Sequence, residues 1–496
     1  MSDFSYERLS ELDGSFLIYE GPNSPMHVAA VTILEAAPLR GKGGAIDLER
    51  IIEYVASRLY HIPRYRQRVE PAPVDGHPIW VDDARFNVRY HIRHSRLPRP
   101  ANERVLKRTC ARILELRLDL HKPLWELWVL EGLEANRVAL ISKTHHCMID
   151  GISGVDLLSV LMTAEPTEKI DPPPVWIARR PPTTLEYLTA EAGRRLATPL
   201  RAASVLRRLI ANEENARSEL RERLFAAGRF VSTTFAGSTP TPINQPIGPH
   251  RRFDWLPMSL DEIDRVRERL GGTLNDVVLA TTAGAMRKFL KHGRQTNVDN
   301  LDFKVMAPVS LRDSSERGRL GNRVTAWLVP LPIAERDPLK RFAEVRKTTE
   351  RLKRSHEALG ADSVSQVVEW LGSTPIALGA RLFEQSQPPF NLVVTNVPGP
   401  RRPLYLLGAP MLEAHPWVPL FGSLSVGIAL FSYLRTLSWG FTADWDLVPD
   451  LHDLVGAVEE AFAELKRSAE KAPEVSHGEP TESGRRRSPR RTRTPG

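Results

Sequence analysis

The string HHCMIDG, residues 145–151, combines residue types and spacing suited to proton transfer. Imidazole titrates near working pH and can take a proton from an alcohol. Neighbours on extended backbone point to opposite sides, so His145 and His146 do not share one cavity. One ring is expected to face a pocket as a base, with the other packed and hydrogen-bonded behind it. Asp150 could orient the loop through an ion pair with an arginine, and Gly151 suits a turn that needs positive φ. Three candidate ligands in one loop, with no second cluster elsewhere, fall short of a metal set. A satisfied core histidine would explain either ring alone, but less easily the whole string. Cys147 could be a nucleophile, though a single Cys between apolar neighbours is more often buried and inert.

These side chains need rigid elements to aim them. Residues 137–143 are apolar and β-branched at Val138 and Ile141, which predicts a buried strand ending at the histidines. An apolar helix follows, with Ser153 as cap and Asp156 three residues on. Strand, polar loop and helix place reactive groups at the mouth of a rigid element.

The string matches the HHxxxDG motif and resembles the bacterial wax ester synthase/diacylglycerol acyltransferase family, a branch of the CoA-dependent acyltransferases. Further blocks agree, in the family's order: LDGSF (12–16), PMH (25–27), PLWELWVLEGL (123–133), NDVVLA (275–280), PVSLR (308–312), GN (321–322), TNVPGP (395–400) and DLVPD (446–450). Together they span about residues 8–465.

The resemblance implies an α/β (α+β) fold of two chloramphenicol acetyltransferase-like lobes, with mixed sheets flanked by helices and an active-site tunnel between them. It implies transfer of a long acyl group from acyl-CoA to diacylglycerol, or to a fatty alcohol, with acyl-CoA as co-substrate and no cofactor or metal. By carry-over His146 is the general base, His145 supports the loop, and Asp150 fixes its shape, with Arg312 as a suggested partner. Gly151 is the motif turn. Asn275 is read as a hydrogen-bond donor to substrate and Asp276 as structural. The oxyanion donors are not placed. Where the family commonly has a polar, Gly-containing turn after Ser432 and Tyr433, this chain has Leu434-Arg435-Thr436. Two rivals stand beside this reading: a condensation-like acyltransferase with a carrier-bound donor, and a catalytically silent lipid-droplet binding protein.

The chain is ample for two cores. Its division is expected at residues 1–170 (first lobe), 171–250 (Pro-rich and basic helical linker), 251–466 (second lobe) and 467–496 (disordered basic tail). Only Cys110 and Cys147 are present, which implies no disulfide framework and a reducing compartment. The polar N-terminus reads as no signal peptide. Residues 414–434 carry no formal charge, but Pro416, Pro419 and several Gly and Ser interrupt them, so a turn and buried strand are expected rather than a transmembrane helix. The net charge of +8 is mostly a tail effect, because residues 484–496 hold six arginines and no acid. The tail could touch anionic lipid or stay solvated; no nucleic-acid partner is expected. Residues 179–229 carry eleven arginines and six acids with an apolar stripe, fit either for a membrane surface or for the seam between lobes. The expected setting is cytoplasmic, peripheral to the inner membrane or lipid droplets.

Elsewhere the pattern predicts strands over 27–34, 125–132, 303–308, 324–330, 391–396, 424–431 and 437–443. Extended chain is expected over 80–90. Helices are expected over 46–60, 103–116, 184–230, 259–269, 274–290, 338–355, 363–382 and 451–468. Arg64 to Arg68 could contact a phosphate or form a solvated surface.

Overall fold

The computed structural model describes residues 4–148, 160–192, 238–310, 324–359 and 389–472. Two six-stranded mixed sheets carry the chain, with a three-stranded sheet beside them. The small sheet joins β1 (Glu7–Arg8), β3 (Gln67–Pro71) and β4 (Pro78–Asp82) in the order β1-β4-β3. The first large sheet holds β2 (His27–Glu35), β5 (Ile92–Arg96), β6 (Trp125–Leu133), β7 (Arg137–His145), β12 (Tyr405–Leu406) and β13 (Ala409–Trp417), ordered β12-β13-β2-β7-β6-β5. The second holds β8 (Arg251–Ser259), β9 (Lys304–Ser310), β10 (Val324–Pro330), β11 (Leu392–Val397), β14 (Val426–Tyr433) and β15 (Thr436–Asp444), ordered β10-β9-β11-β14-β15-β8. The helices are α1 (Glu11–Tyr19), α2 (Leu48–Arg58), α3 (Val88–His91), α4 (Glu103–Leu114), α5 (Leu260–Leu270), α6 (Leu274–Lys288), α7 (Pro338–Leu359) and α8 (Leu451–Lys471). This is the mixed α/β architecture expected from the sequence.

Local signals explain most of the boundaries. Asp47 caps α2 by accepting from the Arg50 amide, and Asn102 caps α4 by accepting from Val105. Gly271, at φ +69°, ends α5 in a left-handed residue, which glycine adopts without a Cβ penalty.

Alternation along β6 and β7 sends side chains to two different cores. Trp125, Leu127, Val138 and Leu140 pack with Ile52 and Val55 of α2 and with Leu59 just after it. Leu130, Ala139 and Ile141 pack on the other face with Leu106, Cys110 and Leu114 of α4. That second core also takes Phe253 and Trp255 of β8, so it is shared with the other sheet.

One exchange was not foreseen from the sequence. Strand β13 lies late in the chain but pairs antiparallel with β2, from Met411↔Leu34 to Trp417↔Ala29. The charge-free segment thus contains the end of β13, a turn, and β14. Among the described residues no helix is long and apolar enough to cross a membrane. Where β13 passes β15, a Cβ on Gly440 would stand 1.8 Å from the Pro416 carbonyl oxygen. Only glycine permits that approach.

Three readings are corrected or qualified. Residues 80–90 are not extended throughout: the Asn87 side chain accepts from the Arg89 amide and starts the single turn of α3. The arginines of 64–68 are engaged internally, Arg64 with Glu7 at 2.7 Å, Arg66 over the Trp176 ring and Arg68 with Glu70. Leu434 opens the β14–β15 turn at φ +52°, a conformation that the family's glycine would adopt more easily. The helix after the motif apart from its last residues, the helix over 363–382, most of 184–230 and the basic tail lie outside the described residues.

Candidate active site

Strand β7 ends at His145, and a single 3-10 turn, His146–Met148, follows it. The His146 amide donates to the Met26 carbonyl at 2.8 Å, which ties the turn to the segment entering β2. In register, His27 of β2 stands opposite His145.

The two rings face different surroundings. His145 is fully buried. Its Nδ1 accepts from the Cys147 amide at 3.2 Å and lies 3.0 Å from Cys147 Sγ. An Nδ1 that accepts leaves the proton on Nε2, which lies 3.5 Å from Glu20 Oε2. Glu20 closes the C-terminus of α1, and its side chain is as sealed as the histidine. Burial pushes the Glu20 carboxyl up, but His145 and Arg117, whose Nε is 3.6 Å from Oε1, bring it below its ordinary value.

His146 is half-buried, with its ring stacked on Phe16 at 3.8 Å and 21°. Burial, followed by the neighbouring His145, pushes its pKa down to about 4. The imidazole is therefore neutral at pH 7, the form that can accept a proton. Its Nδ1 has no hydrogen-bond partner among the described residues.

Buried charge surrounds the pair. Lys143, on the same face of β7 as His145, donates to the carbonyls of Ile113 at 3.3 Å and Leu116 at 2.5 Å, at the end of α4. Burial lowers its pKa to about 8. His27 is buried beside it and is pushed well below its ordinary value, first by desolvation and then by Lys143. Cys147 is 1% exposed and its thiol is pushed well up by burial, so it is a packed side chain and not a ready thiolate.

The second-half motifs meet at one place. Asn275, on the first turn of α6, is exposed, and its Oδ1 accepts from Asn396 Nδ2 at 2.8 Å. Val397, next along β11, belongs to the packed cluster that holds Phe16, Cys147 and Met148. The NDVVLA and TNVPGP blocks are thereby joined to each other. Asp276 faces inward: its Oδ2 accepts from the Thr273 amide and hydroxyl, both at 2.8 Å, and its Oδ1 from Thr349 at 2.6 Å. It closes a capping box.

Asp150, Gly151 and Arg312 lie outside the described residues, and with them the suggested Asp150–Arg312 pair. Sequence reasoning quoted the blocks containing Phe16 and Asn396 but gave those residues no role, and it missed Glu20 and Lys143. The signal available for Glu20 was an acid just after an apolar helix, which does not reveal its partner. Among the described residues no group of three or more His, Cys, Asp or Glu could hold a metal ion.

The family model for the wax ester synthase/diacylglycerol acyltransferase catalytic domain matches residues 9–278, and the model for the C-terminal domain of such proteins matches 320–466. A Mycobacterium tuberculosis protein named as a diacylglycerol O-acyltransferase is 32% identical over 480 residues, covering 95% of this chain and 92% of its own. Another from that species, named as the diacylglycerol O-acyltransferase tgs1, is 32% identical over 468 residues, with 92% and 95% covered. Among solved structures, the wax ester synthase/diacylglycerol acyltransferase from Marinobacter aquaeolei VT8 aligns with a TM-score of 0.62 at 24% identity, covering 94% of this chain and all of that one. The first condensation domain of the calcium-dependent antibiotic synthetase aligns at 0.58 and 15% identity, covering 95% and 97%. These last two likenesses concern the fold.

Proposed function

The chain belongs to the wax ester synthase/diacylglycerol acyltransferase family, a family of acyltransferase enzymes, and on that premise we propose that it moves a long-chain acyl group from CoA to the hydroxyl of diacylglycerol or a fatty alcohol. The observation that carries this reading is the division of labour between the two rings. His145 is locked behind the site by Cys147 and Glu20, while His146 is neutral and reaches the surface of the turn.

In the proposed reaction His146 takes the hydroxyl proton as the alcohol oxygen attacks the thioester carbonyl. The tetrahedral intermediate then collapses, the carbon–sulfur bond breaks, and the thiolate of CoA recovers the proton from the imidazolium. A thioester is already activated, so the reading needs no acyl-enzyme and no group beyond the two substrates; aligning them with one base supplies much of the acceleration. Asn275, held through its carbonyl oxygen by Asn396, is the donor toward substrate in this reading. Asp150 and Gly151 keep the loop-shaping roles that the family motif implies, with Arg312 as the suggested partner of Asp150.

Association with a membrane or lipid droplet belongs to the same proposal. Val175, Ile177 and Leu185 are 93%, 80% and 71% exposed on the segment leading into the basic stretch, and Arg179 stands between them. Exposed apolar groups with arginines suit an anionic lipid surface.

CoA release from palmitoyl-CoA, with diacylglycerol or hexadecanol supplied in parallel, tests the reading. Release with either acceptor that disappears in His146→Ala supports it and ranks the acceptors. No release with either rules out these substrates and directs attention to carrier-bound donors.

A further inference from the structure

Arg251 opens β8 and is 2% exposed, at the place where the second sheet meets the first half of the chain. One arm of its guanidinium stays on its own side. Nη1 donates to the carbonyls of Gly248 at 2.6 Å and His250 at 2.9 Å, and lies 3.7 Å from Asp444 Oδ2. The other arm crosses over, and Nη2 donates to the Asn23 carbonyl. We propose that Arg251 is a positioning residue for the histidine turn, acting through the loop 20–27. The inference rests on the acyl-transfer reading above and adds the residue that keeps its base in place.

The loop is tied to the second sheet at more than one point. Asn23 is held twice, since its Nδ2 also donates to the Ile247 carbonyl at 3.0 Å. The receiving segment is itself fixed. The Ile247 amide donates to the Gly422 carbonyl at 3.2 Å, and the Gly248 amide to Asp444 Oδ2 at 2.7 Å. Asn23 therefore rests on the frame of the second sheet.

That hold is transmitted because the loop is short and stiff. Gly21 and Ser24 exchange backbone hydrogen bonds at 3.3 and 3.1 Å, which closes the turn around Asn23. Pro22 and Pro25 fix φ within the turn and just after it. Both ends of the loop then reach the histidines. Glu20 Oε2 faces His145 Nε2 at 3.5 Å, and the Met26 carbonyl accepts from the His146 amide at 2.8 Å. A base must be held within about 0.5 Å of its working position. The carbonyl that holds His146 belongs to the same loop that Arg251 grips.

Lysine could not take this place. A guanidinium donates in two directions from one plane, whereas an ammonium is a compact point charge that reaches one side. Arg251→Lys should keep the charge beside Asp444 and lose the crossing contact. The expected result is a kcat roughly tenfold lower or more, with KM for palmitoyl-CoA little changed. Asn23→Ala, at an exposed position, removes only the strut to Ile247 and should give a smaller loss of the same kind. Hydrogen exchange read by mass spectrometry separates positioning from general loosening. In both variants the amides of 20–27 and 143–148 should exchange faster, while those of α6 keep their wild-type rates. An unchanged kcat, or faster exchange spread evenly over the chain, would overturn the proposal. If Arg251→Lys does not fold, Asn23→Ala decides on the same two readouts. If the wild type turns over no acyl-CoA, the reaction reading fails and exchange alone decides. Faster exchange confined to the loop and the turn then supports the link, and unchanged exchange at 143–148 overturns it.

Discussion

Glu20 Oε2 lies 3.5 Å from His145 Nε2, with both side chains sealed from solvent. This contact joins the end of α1 to the end of β7 across 125 residues. It makes His145 an orienting group whose own ring is spoken for. Glu20→Gln keeps the shape of the side chain but removes the charge that faces both His145 and Arg117. The expected outcome is a kcat roughly tenfold lower or more, with KM little changed. An unchanged kcat would leave Glu20 a packing residue only.

The same carboxylate has a signature in acid. Burial raises its pKa, and His145 and Arg117 outweigh burial, so the folded protein binds this proton more weakly than the unfolded chain does. The ionised carboxylate therefore contributes stability above the unfolded carboxylate value, about 4.3, and loses it as pH falls through the folded value. Thermal melts of wild type and Glu20→Gln should converge between neutral pH and pH 3. A constant gap across that range would contradict the assignment.

His146, with its pKa near 4, is unprotonated through the neutral range. On the proposed mechanism, kcat/KM rises with pH through about 4 and is flat from about 5 upward until another group titrates. The pH profile of CoA release checks this. An acid limb at about 6.5, the ordinary imidazole value, would mean that the ring is less shielded than its stacking on Phe16 implies.

Asn396 and Asp276 predict opposite phenotypes from neighbouring motifs. Asp276→Ala removes the capping box of α6 and the hydrogen bond from the Thr349 hydroxyl, and should cost about 1–2 kcal/mol of stability. Activity well below the melting temperature should survive. Asn396→Ala releases the Asn275 amide at the surface and should lower kcat while leaving the melt nearly unchanged. Kinetics beside calorimetry on both variants decides; the reverse pattern would exchange their roles.

Lys143 donates to two carbonyls at the end of α4 from inside the protein. Lys143→Met keeps the volume but leaves both acceptors unpaired, and should destabilise by about 1–3 kcal/mol at neutral pH. Because burial lowers the folded pKa to about 8, protonation is weaker in the fold than in the unfolded chain. Wild-type stability should then fall as pH drops from about 10.4 toward 8 and lose this dependence below it. The methionine variant should lack that slope in chemical denaturation.

How much of this was legible beforehand follows from the range of each interaction. Strand β7, the capped helices α2, α4 and α6, and the opposition of the two histidine rings rest on residues within a few positions of one another. Alternation and capping are short-range physics, and a single chain displays them. The histidine pair and its acyltransfer reading were available for the same reason, since the motif is one contiguous string.

Tertiary structure alone decided the rest. That β13 leaves the second half of the chain to join β2, that Gly440 must lack a side chain so Pro416 can pass, and that Glu20 rather than a nearer acid holds His145 are facts about packing between distant segments. So is the meeting of Asn275 with Asn396. Spacing along the chain carries no trace of such contacts, because a buried polar group is satisfied by whichever partner the fold brings within about 3 Å, however far off in sequence.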